Sequence, residues 1–189
     1  EIISTIQDAT LSTTQALKSI AKTKIVLEQE MNIGDIDFRS IALKIKALNP
    51  DAVFFSMLPP QPSNLARQLR SLNYKGEFFA GPQIANLDDI KSASTALENT
   101  WFVTLNDLGA KDFYDKYQEE FHESTPAESI LGYDSGRIIS EAAESGDIHK
   151  YLEDLKEMEG LGGKYILKDH SFEIPARVRL IKDGTYLNN

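Results

Sequence analysis

The sequence has no cysteine, one tryptophan and three histidines among 189 residues. Without thiols there is no disulfide, no thiol nucleophile and no cysteine-ligated zinc, which suits an oxidising compartment without requiring one. His122, His149 and His170 lie far apart with no histidine at i+4, so no metal site is expected, and His122 and His149 read as solvated helix residues. Positive charge is also scarce: 20 Lys and Arg stand against 29 Asp and Glu, for a net charge of −9. A phosphate backbone is repelled on average by such a surface, and no basic run is long enough to offset this, so no nucleic-acid partner is expected. No apolar run approaches the roughly 18 residues that a membrane-spanning helix needs.

Catalytic and cofactor motifs are missing as well. There is no G-x-G-x-x-G and no Walker A run, and Gly160-Leu161-Gly162-Gly163 follows a helical pattern and precedes a strand-like one. That is the wrong order for a phosphate loop and reads as a helix stop. Ser19 and Lys22 have S-x-x-K spacing, but neither S-D-N nor K-T-G follows, so a solvent-facing helix end is expected. The acidic pairs Asp35/Asp37, Asp88/Asp89 and Glu119/Glu120 read as solvated faces. No catalytic residue, metal or cofactor is expected, and an enzyme on this framework is the reading least supported.

What is present is an ordinary globular composition, 41% hydrophobic and 26% charged. The chain is organised around residues 49–83. Ala52 to Met57 is an apolar run of strand length, and Pro59, Pro60 and Pro62 make a rigid loop. Ser63 to Leu72 carries Leu65, Leu69 and Leu72 at helical spacing, and Glu77 to Ala80 is a second buried strand. A strand–helix–strand unit implies parallel strands with a right-handed crossover.

The flanks extend this pattern. Ile2–Ile6 predicts a first strand, and Ser12 with Gln15 forms a capping box for a helix with Ala16, Leu17 and Ile20 on its apolar face. Lys24–Leu27 predicts a second strand. Asp37 predicts the N-cap of a helix burying Phe38, Ile41, Ala42, Ile45 and Leu48. A short helix over Leu87–Ser92 and a fifth strand over Thr100–Thr104 follow. The fold class is therefore α/β, an open parallel sheet of flavodoxin-like strand order 2-1-3-4-5, with ligands expected beyond the carboxyl ends near the switch point. Those ends are Asp8–Ser12, Ser56–Gln61 and Gly81–Gln83. The segment after Asp107 changes character: an aromatic-rich helix over Asp112–Phe121, one from Pro126 to about Glu144, one over Ile148–Glu157, then strands over Lys164–Leu167 and Arg177–Ile181.

The runs "NPDAVFF", "LARQLRSLNYKGEFFAGPQ", "GDIDFRSIALKIKALNPD", "GYDSGRII" and "VRLIKDGTY" resemble the second lobe of type I periplasmic solute-binding proteins, the branched-chain amino-acid receptor group. The resemblance spans nearly the whole chain as many weak matches. It implies that residues 1–107 form the second lobe, and that residues 108–189 cross to a first lobe and return through the hinge. It implies capture of a small-molecule solute, delivery to an ABC-type permease or a sensor, and a periplasmic or extracellular location with a lipid anchor as one variant. The opening at Glu1, directly in a strand-like run, reads as a mature or truncated fragment. Ligand contacts are then expected from Asp8, Ser12, Leu58, Gln61 and Gln83. Gln83 stands where these receptors place a carboxylate for the ligand's ammonium, while Leu58 and Ser12 stand near positions of tyrosines. The clamp for an amino acid is thus unmatched here, which leaves a second reading open: a degenerate relative serving as an interaction scaffold. Uncovered aromatic faces over Asp112–Glu157 also predict self-association.

Overall fold

The structure is a computed structural model that describes residues 1–123, 125, 128–169 and 171–187. The elements in chain order are β1 (Ile2–Thr5), α1 (Asp8–Ile20), β2 (Glu28–Met31), α2 (Arg39–Leu48), β3 (Ala52–Ser56), α3 (Gln61–Ser71), β4 (Glu77–Ala80), a 3-10 turn (Pro82–Ile84), α4 (Leu87–Ser92) and β5 (Trp101–Leu105). Then come α5 (Lys111–Phe121), α6 (Ser129–Glu144), α7 (Ile148–Asp154), β6 (Glu157–Gly160), β7 (Gly163–Lys168), β8 (Ser171–Glu173), β9 (Ala176–Lys182) and β10 (Thr185–Leu187). The chain divides into two compact units, residues 1–103 with the described residues from 178 onward, and residues 104–177. The divisions fall inside β5 and β9. The sequence places its boundary at 107/108 and assigns the closing strand to the later segment.

The first unit is built on parallel strands in the order 2-1-3-4-5, extended past β5 by β9 and β10. Ile2 pairs with Glu28 on one side and Phe54 on the other, Val53 with Phe78, and Phe79 with Trp101, all in parallel register. β9 joins beyond β5 through Ile181 N donating to Thr100 O at 2.8 Å, and β10 pairs with it antiparallel. One sheet face packs Ile3, Val53, Phe55, Phe78 and Phe102 against Ile41 and Ile45 of α2 and Leu65 and Leu69 of α3, all buried. The helical spacing of those four aliphatic residues is what α2 and α3 need to cover a sheet.

The other face is attached differently. Thr10 and Thr14 are the buried residues of α1. Thr14 Oγ1 lies 2.7 Å from Ser4 Oγ, Thr10 Oγ1 donates to Thr5 O at 2.5 Å, and Ser56 Oγ donates to Thr10 O at 2.7 Å. The expected apolar face of this helix is therefore corrected: Ile20 is 74% exposed, because hydroxyl bonds rather than aliphatic side chains hold α1 to the sheet. Its start is corrected too. Gln7, in extended conformation, is the N-cap, its Oε1 accepting from Ala9 N and Thr10 N at 3.1 and 3.4 Å, and Ser12 lies a turn inside.

Four further corrections are local. The second strand is Glu28–Met31, four residues later than Lys24–Leu27, because the register with β1 pairs Ile2 with Glu28. The helix after the prolines begins at Gln61 rather than Ser63, since Pro62 fits a first turn whose N–H is unneeded. Leu48 is exposed. Residues 157–160 are a strand, not the end of α7, and Leu161-Gly162 turns the β6–β7 hairpin, so the glycine run is a hairpin turn instead of a helix stop. β8 and β10, each three residues long, were not expected from the sequence. Pro126, expected to open a helix, lies outside the described residues.

In the second unit α6 and the three-stranded sheet β6-β7-β8 meet at a buried carboxylate. Asp134, 1% exposed, accepts at Oδ2 from Tyr165 Oη and Leu161 N, both at 2.8 Å, and Arg137 Nη1 lies 3.4 Å from Oδ1. Gly160 packs against this pair, and a Cβ there would sit 2.4 Å from the Tyr165 ring.

Candidate functional site

Because β1 to β4 are parallel, their carboxyl ends share one edge of the first unit, and the chain leaving each strand forms a loop there. The organising residue of this edge is Gln61. It is 1% exposed, although it sits on the first turn of α3. Its Oε1 accepts from Thr5 Oγ1 at the end of β1, and its Nε2 donates to Asn32 O at 2.6 Å and to Ile33 O and Asp35 O at 3.3 Å in the loop after β2. Thr5 Oγ1 also accepts from Leu58 N at 3.0 Å. One amide thus ties the ends of β1, β2 and β3, and a buried amide satisfied at both atoms is the arrangement that avoids a desolvation penalty.

The five residues singled out from the sequence all map to this edge. Asp8 is the first residue of α1, exposed, where a negative charge is favoured by the helix dipole. Ser12 is exposed on the same helix. Leu58 is half-buried in the loop after β3. Gln61 lies beneath that loop, with its amide wholly engaged by protein. Gln83 lies in the 3-10 turn after β4, half-buried, with its Oε1 shielded from solvent and without a hydrogen-bond partner. Its side chain folds over Gly81: a Cβ on Gly81 would stand 2.7 Å from Gln83 Oε1 and 3.2 Å from Thr13 Cγ2 of α1. Leu58 and Gln61 belong to one bonded cluster with Thr5 and the loop after β2, whereas Gln83 is set against α1.

Sequence reasoning missed that loop. Ile33 and Ile36, 59% and 73% exposed, flank its turn, and Ile6 beyond β1 is 45% exposed. Isoleucines beside Gly34-Asp35 in a turn at a strand end were the signal available. The edge carries the carboxylates of Asp8, Asp35 and Asp37, of which Asp37 is paired with Arg39. Asp35 accepts from Asn32 N at 2.8 Å, and Asp37 is drawn down to about 2 by the Arg39 side chain, whose Nε donates to it at 2.9 Å.

Other candidates are structural. Ser19 Oγ bonds Ala16 O of its own helix at 2.7 Å, 3.3 Å separates His149 from Glu153 on an exposed helix face, and His122 caps α5 in the left-handed region. His170 lies outside the described residues. Among the described residues no group of three or more His, Asp or Glu is placed to hold a metal, and no helix is long and apolar enough to cross a membrane. A groove of about 570 Å³ in the second unit is lined by residues from Ser145 to Glu157.

The parallel 2-1-3-4-5 sheet, the loop edge and the strands that close it define a lobe of the type I solute-binding class. Residues 4–185 match the family model described as periplasmic binding protein, and the chain belongs to that family. It is 24% identical over 160 residues to a Leu/Ile/Val-binding protein homolog 1 of Brucella suis, covering 80% of this chain and 42% of the relative. In structure it is similar to the branched-chain amino acid transporter substrate binding protein of Streptococcus pneumoniae solved with isoleucine, at a TM-score of 0.79 and 21% identity over 98% of this chain and 57% of that one. It is also similar to a solute binding protein of R. palustris solved with benzoate, at a TM-score of 0.75 and 16% identity over 98% and 56%. The chain therefore spans less than half the length of that curated relative. The R. palustris protein is described as the solute binding protein of an ABC transporter.

Proposed function

We propose that the chain is the solute-contacting second lobe of a periplasmic or extracellular binding protein, capturing a small ligand for an ABC-type transporter without catalysis. The observation that carries this reading is the edge itself: three strand ends locked by buried Gln61, with Leu58 half-buried and Gln83 unpaired beside it. In open α/β sheets this edge is where ligands bind. Asp8, Ser12, Leu58 and Gln83 are the residues proposed to meet the solute, and Gln61 holds the loops that present them. A further lobe accords with this reading, since the match covers 42% of the curated relative.

The scaffold alternative has its own support in exposed aromatic surface. The Phe113 ring lies tilted against those of Tyr117 and Tyr133, while Phe121 and Tyr133 are 58% and 49% exposed. Self-association of the chain through α5 and α6 is proposed on that ground. A thermal-shift screen of small solutes separates the two readings, because a ligand that binds only the folded state raises its melting temperature. The solute-binding reading predicts a class of solute whose shift disappears in Leu58→Arg. A shift that survives this change places the site elsewhere. A screen without any shift, on a chain that associates with rising concentration, favours the scaffold.

A further inference from the structure

The first unit has a cavity at the opposite edge of its sheet, where β4 and β5 begin. It measures about 370 Å³ and is lined by Arg70, Lys75, Glu77, Phe78, Glu98 and Asn99. Arg70, half-buried near the end of α3, is its fixed point. The guanidinium lies over the Phe78 ring, 4.0 Å from the centroid. Its Nη1 donates to Tyr74 O at 2.8 Å and to Gly76 O at 3.0 Å, in the turn that leads into β4. Those contacts occupy one nitrogen and one face. Nε and Nη2 have no partner among the described residues and stay open to solvent.

No carboxylate answers this charge. Arg39, Arg137 and Arg177 each pair with an acid, whereas Arg70 pairs with none among the described residues. The two acids that line the cavity are directed elsewhere. Glu77 alternates with Phe78 along β4, so its side chain leaves from the opposite face of the sheet. Glu98 accepts at both carboxylate oxygens from Asp183 N, at 3.3 and 3.1 Å. Lys75, exposed and without a partner among the described residues, adds a second cation on the same turn. Burial lowers the Arg70 pKa, but a guanidinium stays protonated, so the positive charge remains uncompensated.

We infer that this cavity binds an oxyanion, the carboxylate or phosphate of a small molecule, at the Nε–Nη2 edge of Arg70 with Lys75 beside it. The fork of adjacent N–H groups matches two oxygens of one such group, and stacking on Phe78 already fixes its plane. Lying at the strand starts, the site is separate from the strand-end edge and does not depend on the solute-binding reading.

The test titrates acetate and inorganic phosphate separately into the full chain, at constant ionic strength set with chloride, while NMR follows the Arg70 Nε–H signal. A saturable shift with at least one anion is expected, and the tighter of the two identifies the group that the site takes. Lys75→Ala is expected to weaken that affinity about threefold, the size of one exposed charge contact. Lys91→Ala, on α4 outside the cavity, is expected to leave it unchanged. No shift, or one that grows without saturating, overturns the inference. So does the same affinity in both lysine variants, which reports the general field of the protein and no built site.

Discussion

Gln61 shows why a residue's type is a poor guide to its task. In sequence it is a polar side chain after two prolines, the composition of an exposed loop, yet it is among the least exposed residues of the chain. Replacing it with Met keeps the length and removes the hydrogen bonds, leaving Asn32 O, Ile33 O and the Thr5 hydroxyl to find other partners. A loss of about 2 kcal/mol is expected, at the scale of an unsatisfied buried polar group, with faster amide exchange confined to residues 32–36 and 58. Urea denaturation showing a change below about 0.5 kcal/mol, the range of neutral surface substitutions, contradicts that role. Asp89 gives a second test. It is 4% exposed in α4, and burial pushes its carboxyl up, with Ser63 and the Arg67 guanidinium opposing. A folded-state value above the unfolded one means the unfolded chain releases this proton first. The stability linked to Asp89 is then complete at acid pH and lost as pH rises through the folded value. Asp89→Asn is expected to raise the melting temperature at neutral pH, and the gain should vanish below the ordinary carboxylate range. A gain that is largest in acid reverses the sign and refutes the assignment.

Among the elements, legibility followed the kind of force that holds each one. α2 and α3 attach through aliphatic residues at helical spacing, and Phe38, Ile41, Ile45, Leu65 and Leu69 were readable from the sequence and are buried. The runs Ala52–Ser56 and Glu77–Ala80 were readable for the same reason, since strands covered by helices are continuously apolar. α1 was misread because threonine and serine hydroxyls carry its attachment, and these leave no hydrophobic period. β2 was displaced because its alternating Glu28, Gln29, Glu30 and Met31 looks less like a strand than the aliphatic residues before it, of which Ile25 and Val26 are 36% and 40% exposed. Of the proposed site, the placement of Asp8, Ser12, Leu58, Gln61 and Gln83 near the strand ends was readable from topology, but the loop after β2 depends on contacts made from 26 to 29 residues away along the chain. The β6–β7 hairpin was hidden by its short strand and depends on Asp134. Asp134→Ala removes the acceptor for Tyr165 Oη and Leu161 N, and is expected to cost about 3 kcal/mol, as when one partner of a buried charged hydrogen bond is lost. Hydrogen exchange should place the loss in α6 and residues 157–168. A uniform loss across both units indicates that they unfold together.

For the whole molecule, the central claim is that the carboxyl edge of the first unit is the surface that meets a solute. The absence of cysteine makes this directly measurable, because one introduced thiol is the sole labelling site. An environment-sensitive fluorophore is attached in turn at Ala9→Cys and Ile36→Cys on the edge and at Lys150→Cys beside the groove of the second unit. Each labelled chain is then titrated with isoleucine, benzoate and isovaleramide at millimolar concentration. The account predicts a saturable response from at least one solute at both edge positions, no response at position 150, and loss of the edge response in Leu58→Arg. A response at position 150 with silence at both edge positions contradicts it.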